Sequence, residues 1–332
     1  MCPSPRPTAG KNAVGVGAGF RAAYNEEVPP ITFLTHTPPR MNLHLPHLDF
    51  YPRSLRNWTH LLGRTWGRVS YGFHVEPTWL EVNRLDIPVR GLPPGFDGFR
   101  IVQLSDLHCG WQMPLEHIRN SVAVANAEKA DLAVITGDFV HKGYKHVAAS
   151  AEAVAGLRAE HGVYAVLGNH DFSVRNALGV RRYRDLHQTI ADALAAKNLR
   201  VLRNEYVQLR RGDAALYLAG VEDLWSRACD LGRALDGLPE DAPRVVMAHN
   251  PQTVELLHGR RCDLMLSGHT HGGQIDWPGV GRLFLDKGGR RFAAGLYRHD
   301  QTHLYVNKGV GYGWRFRFRV RPEVAVFTLR AA

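Results

Sequence analysis

Beyond about residue 98 the chain alternates short apolar runs with amphipathic stretches. Arg100–Ser105, Asp131–Thr136, Val163–Leu167, Arg244–Ala248 and Asp263–Ser267 are mostly apolar and bounded by polar or turn-forming residues. Runs of that length read as buried strands. Between them, Leu115–Lys129 and residues 146–158, 185–197 and 251–258 repeat apolar positions at helical spacing, and shorter strands are predicted over 205–219. Strand–helix alternation of this kind implies an α/β sheet with helices on its faces.

The first hundred residues follow other patterns. Over 52–72, Leu55, Trp58, Leu61, Leu62, Trp66 and Val69 recur at helical spacing, interleaved with Arg53, Arg56, Arg64 and Arg68. Such a stripe suits a helix lying in a membrane interface, or one packed on the protein's own core. Residues 1–40 are Pro- and Gly-rich with no sustained period, which predicts a disordered extension or a stretch ahead of the true start at Met41. The glycines at 15, 17 and 19 have neither a strand before them nor a helix after, so they are no nucleotide loop. The expected division is an extension over 1–40, a segment carrying the helix over 41–97, and a domain over 98–332.

Polar residues stand just past nearly every predicted strand: Asp106 and His108, then Gly137-Asp138, then Gly168-Asn169-His170-Asp171, then His249-Asn250, then Gly268-His269-Thr270-His271-Gly272-Gly273-Gln274. Open α/β sheets place their ligand crevice at the carboxyl ends of their strands, so these residues are expected to converge. Asp, Asn and His are ligands of first-row metals, and the set exceeds what one ion needs. Two metals are therefore expected, with Asp138 the natural bridge. Asp-x-His and His-x-His would place both side chains on one side of an extended segment. Glu222 and Asp223 also follow a predicted strand, which would bring them near the crevice, but they are given no role.

Composition narrows the classes. The chain has 332 residues, 45% hydrophobic and 22% charged, close to globular averages, so wholesale disorder is excluded. No uncharged apolar run reaches the ~18 residues of a membrane-spanning helix. The four cysteines lack CxxC spacing and suggest neither a disulfide framework nor a zinc ribbon. A net charge of +10, with arginines crowded over 282–321, favours an anionic partner.

The ordered motifs Asp106-x-His108, Gly137-Asp138, Gly168-Asn-His-Asp171, His249 and Gly268-His-x-His271 resemble those of the calcineurin-like metallophosphoesterase superfamily. The resemblance spans about residues 98–330 and implies a four-layer α/β/β/α sandwich with two packed mixed sheets. It implies two divalent ions, Mn²⁺ ahead of Fe or Zn²⁺. One would take Asp106, His108, Asp138 and His271; the other Asp138, Asn169, His249 and His269. His170 matches the family's active-site histidine, with Asp171 expected to orient its ring. The implied chemistry is in-line attack on phosphorus by a metal-bridging hydroxide.

Longer strings narrow the resemblance. Gly268–Gln274, Met247-Ala-His-Asn-Pro251, Val306-Asn-Lys-Gly-Val-Gly311 and Arg315-Phe-Arg-Phe-Arg-Val-Arg-Pro-Glu323 are similar to a bacterial subgroup of membrane-associated phosphodiesterases. Some of its members hydrolyse the pyrophosphate of UDP-2,3-diacylglucosamine. The resemblance thus implies a lipid-linked phosphodiester or pyrophosphate substrate and peripheral contact with an anionic membrane. With no leading apolar or twin-arginine segment, a cytoplasmic location at the inner face is expected. Alternating Arg315, Arg317, Arg319 and Arg321 predict a strand with one cationic face, from which Arg315 and Arg317 would touch substrate. Asn250 and Gln274 are further substrate candidates. A nuclease or nucleotide phosphodiesterase, its basic stripe tracking a phosphate backbone, is the second reading. A non-catalytic scaffold is a third, but it would be expected to lack ligands, and here every expected ligand position is filled.

Overall fold

The computed structural model describes residues 53–277, 282, 285 and 287–332. The expected extension over 1–40 lies outside them, as do the side chains of Leu55, Trp58 and Leu61. Strands β1 (Glu81–Val89), β2 (Arg100–Leu104), β3 (Leu132–Thr136), β4 (Val163–Val166) and β5 (Arg200–Val201) belong to one sheet with the last strand, β12 (Glu323–Ala331). Its order is β1-β12-β2-β3-β4-β5, all neighbours parallel except β12 against β2. The second sheet runs β10-β11-β9-β8-β7-β6, from β6 (Glu205–Arg211), β7 (Ala214–Gly220), β8 (Arg244–Met247), β9 (Leu264–Ser267), β10 (Gly295–His299) and β11 (Thr302–Val306). Both sheets are mixed, as expected.

Alternation sorts the strand side chains into layers. Ile101, Leu132, Val134 and Phe327 of the first sheet meet Leu218, Val245, Met247 and Leu266 of the second in one buried cluster. The opposite face of the first sheet, through Val102, Leu104 and Ile135, packs on helices α2 (Leu115–Ala127), α3 (Val147–Val154) and α4 (Leu186–Ala195). That of the second, through Val246, Met265 and Leu304, packs on the short helix α5 (Leu231–Leu235) and its neighbours. Four layers result. The predicted helix over 251–258 is a 3-10 segment, Pro251–Leu256, with the Asn250 carboxamide capping its first turn.

The first sheet begins ahead of the boundary expected at residue 98. β1 pairs with β12 along its whole length, from Glu81 opposite Glu323 to Val89 opposite Ala331.

Residues Arg53–His74 form helix α1, close to the predicted 52–72. Its last turns pack on the chain's own loops: Val69 and Tyr71 lie against Ile275, Phe316 and Phe318, and Phe73 meets Phe316 edge-on at 4.7 Å. Leu62 and Trp66 stay on the surface, Trp66 three-quarters exposed.

The strand predicted over 315–321 does not form. The segment makes a single bridge, Phe318 to Ile275, and turns through a left-handed Arg319. Instead of presenting a cationic face, Arg317 is fully buried and donates to the carbonyls of Val320, Lys308, Gly309 and Gly311. Phe316 and Phe318 need burial, and a folded-back loop buries them together with the guanidinium, which the inward carbonyls satisfy.

Candidate metal centre

The carboxyl ends of β2, β3 and β4 in one sheet and of β8 and β9 in the other open on the same edge of the sandwich, and all seven expected ligands meet there. The His108 and His271 Nε2 atoms are 2.8 Å apart. His271 Nε2 lies 3.4 Å from Asp106 Oδ1, and His108 Nε2 lies 3.4 Å from Asp138 Oδ2. On the other side of Asp138, His249 Nε2 is 3.4 Å from the same Oδ2, and the Asn169 Oδ1 atom sits 3.2 Å from His249 Nε2 and 2.9 Å from His269 Nδ1. Asp138 therefore stands between two clusters, where a bridging carboxylate would be.

Backbone conformation aims these side chains, and not by the extended geometry expected. Asp106, His108, Asp138, His269 and His271 all have φ between 45° and 74°. The chain leaves each strand before the ligands and turns left-handed at them, a conformation that costs energy in non-glycine residues and concentrates at functional sites. Hydrogen bonds hold the turns: the Asp106 and His108 amides donate to Gly137 and Asp138 carbonyls, and the His269 amide to the Asp106 carboxylate. A Cβ at Gly168 would collide with the Asp138 carboxylate, and one at Gly268 with Ser105 and Asp106.

The electrostatics suit cations. Burial lifts the Asp106 carboxyl to about 6, against the pull of His249. Burial works the same way on Asp138, but His249 and His170 outweigh it and hold its carboxyl well below the usual range. Burial keeps His108 and His271 neutral far into acid and takes His269 down to about 3. His249, equally buried, is instead held well above the usual value by Asp138 and Asp106. Two buried carboxylates thus draw positive charge into a ring of neutral imidazoles. Carboxylate oxygens, an amide oxygen and imidazole nitrogens aimed at common points are the donor set that hard-to-borderline divalent ions take. Asp106/His108/His271 and Asp106/Asp138/His249 each bring their donor atoms within 4.8 Å of one another. The residues fit a two-metal centre. The Nδ1–H of His249 donates to the Thr136 carbonyl at 2.7 Å, turning Nε2 inward.

His170 lies at the wall of the adjoining cleft, a cavity of about 350 Å³ that the ligands His108, Asp138, Asn169, His269 and His271 also line. Its Nδ1–H donates to the His141 carbonyl at 2.8 Å, leaving Nε2 for chemistry. Asp171 does not orient that ring. Its carboxylate accepts the amides of Asp138, Phe139, Val140 and Gly168, so it fixes the turn that carries Asp138. Burial and Asp138 push its carboxyl up to about 8.

Of the substrate candidates, Asn250 and Gln274 line the cleft; Arg315 and Arg317 do not. Gln274 brackets the neighbouring loop, accepting from the Gly313 amide and donating to the Trp314 and Phe316 carbonyls. The Asn250 amide nitrogen is buried without a partner among the described residues. Arg175, Trp225 and Trp314 also line the cleft, unforeseen, with Trp225 edge-on to His269 at 4.4 Å. The strand-end rule that marked Asp223 after β7 would have reached Trp225 two residues on; Asp223 is buried, and burial lifts its carboxyl to about 7. Arg175 carries no such signal.

Residues 99–273 match the calcineurin-like phosphoesterase family. This chain belongs to it. The metallophosphoesterase is 32% identical over 269 residues to the uncharacterized metallophosphoesterase YkuE of Bacillus subtilis, covering 80% of this chain and 91% of that protein. It is 31% identical over 263 residues to the phosphodiesterase YaeI of Escherichia coli, covering 78% and 92%. With the UDP-2,3-diacylglucosamine pyrophosphatase LpxG of Chlamydia trachomatis it shares 29% identity over 306 residues, covering 76% and 90%. Family membership makes this phosphoesterase a metal-dependent hydrolase of phosphoric esters. Among its described residues no helix is long and apolar enough to cross a membrane.

Proposed function

We propose that the enzyme hydrolyses a phosphodiester or pyrophosphate bond of a lipid-linked cell-envelope substrate, such as UDP-2,3-diacylglucosamine, while resting on the inner face of an anionic membrane. The observation that carries this reading is a dimetal-type cleft with aromatic residues at its border. Trp314 lines the cleft and stacks on Phe316, which meets Phe73 at the end of α1. Trp66 on α1 and Trp111 are 75% and 80% exposed. Surface tryptophans with arginines nearby suit a headgroup interface. The names of YaeI and LpxG support the bond type.

In this reading Asp106, His108, Asp138 and His271 hold one ion and Asp138, Asn169, His249 and His269 the other, with Mn²⁺ preferred to Fe or Zn²⁺. Held there, such ions would supply an acidified water as nucleophile and neutralise phosphoryl oxygens. His170 lines the cleft with Nδ1 tied to the His141 carbonyl, so its Nε2 is the nitrogen that donates a hydrogen bond or a proton at the leaving oxygen, a role worth ~10²–10⁴-fold. Asn250 has an amide N–H left to give the substrate.

The test is Mn²⁺-dependent release of UMP from UDP-2,3-diacylglucosamine in detergent micelles, comparing wild type with Asp138→Asn. Bis-(p-nitrophenyl) phosphate serves as a control for a competent site. Release by wild type alone supports the reading. Cleavage of the control diester alone sinks the lipid substrate.

A further inference from the structure

Beside His170 lies a second hollow of about 190 Å³, and His170 and Arg175 line both it and the metal-centre cleft. Lys142 and Arg182 complete its cationic wall, and no carboxylate lines it. Among the described residues none of these three cations has an ion-pair partner, whereas cations such as Arg203 and Lys308 are paired, with Glu222 and Glu323. Chain geometry sets the arrangement. Ser173, left-handed at φ 59°, accepts the amides of Arg182 and Tyr183 on its hydroxyl, folding the loop back so that Arg175 and Arg182 face one hollow. Lys142 follows His141, whose carbonyl holds the His170 ring.

We propose that this hollow is a subsite for a second phosphoryl group, joined through one bridging oxygen to the phosphorus under attack, and that it selects diphosphate-linked substrates over simple phosphodiesters. Three unpaired cations in a concavity without a carboxylate leave a positive field that an anion satisfies, and guanidinium groups suit phosphoryl oxygens in particular. The shared wall at His170 and Arg175 places such an anion next to the cleft. The inference rests on the hydrolytic reading of the cleft and adds to it the choice between two bond types.

The experiment uses the full-length, Mn²⁺-loaded enzyme and two soluble probes. Bis-(p-nitrophenyl) phosphate has one phosphorus; UDP-glucose is a diphosphate diester. Competition of UDP-glucose against the first probe, and its direct binding by calorimetry, are measured for wild type, Lys142→Ala, Arg182→Ala and the double variant. Both side chains are exposed, so the variants should fold. The expected result is UDP-glucose binding weakened about 10-fold or more in the double variant, with a much smaller change in KM for the monophosphorus diester. Unchanged binding overturns the subsite. So does an equal loss for both probes, which would mean a general field. A wild type that cuts bis-(p-nitrophenyl) phosphate but neither binds nor cleaves UDP-glucose overturns the subsite and leaves the phosphodiesterase intact. Inactivity on every diester overturns the reading of the cleft itself.

Discussion

Gly168 comes so close to Asp138 that even a methyl group must displace the carboxylate. Gly168→Ala is therefore expected to lose metal and activity together, with about 1–3 kcal/mol of stability, read by metal content and thermal midpoint of the purified protein. His170→Ala separates the two: kcat should fall ~10²–10⁴-fold while metal content stays at the wild-type level. At this scale the ligands were legible because their chemistry is written in residue type and order. Their left-handed backbone was not, since nothing in Asp-x-His distinguishes a turn from an extended end. Nor could alternation reveal that Arg317 is buried while Arg315 is exposed, for an arginine enters the interior only where carbonyls happen to surround it.

The element most weakly signalled is β1, which carries Asn83, Arg84, Asp86 and Pro88 and becomes a strand only by pairing with β12 at the far end of the chain. The strand over 315–321 excepted, most helical and strand elements with local periodicity were foreseen to within a few residues. This one depends on a partner roughly the whole domain away, where the nearby sequence holds no information about it. A buried charge cluster locks the pair: fully buried Glu323 accepts from Asn83 at 2.6 Å, Tyr305 at 3.1 Å and Lys308 Nζ at 3.0 Å, and Lys308 also contacts Glu81. Removing the lysine strands Glu323, so Lys308→Met should cost about 3–5 kcal/mol in urea unfolding. Burial opposes the lysine's charge, but Glu323 and Glu81 prevail and raise its pKa. A raised lysine contributes stability that is fully present below its unfolded pKa of ~10.4 and lost as pH climbs through the folded value. The gap between wild type and Lys308→Met should accordingly narrow only in strong alkali. A gap that closed near neutrality would refute this account.

Across the whole molecule, exposed Trp66, Trp111 and Trp314 accompany a net charge of +10. Sedimentation with vesicles should show binding to anionic but not zwitterionic lipid, weakened by Trp66→Ser and by raising salt from 50 to about 300 mM, beyond the range where surface charges act at ~10 Å. Salt-insensitive binding would point to burial of apolar surface alone. Strand–helix alternation alone gave an α/β sheet with helices on its faces, whereas the four-layer architecture was legible through the family resemblance that the ordered motifs carry. The cationic hollow beside His170 was not, because Lys142, Arg175 and Arg182 share no spacing and meet only through a folded loop.

Asp106, Asp138 and Asn169 hang from one sheet and His249, His269 and His271 from the other. Mechanically, ions shared among them would act as rivets through two plates. Pulled apart in an optical trap by handles on the outer strands, the loaded protein should resist until its coordination bonds fail together. After chelation the sheets should slide at lower force and in more than one step, held by the apolar layer and by the few polar contacts between them, such as Tyr305 to Glu323 and Gln103 to Ser267.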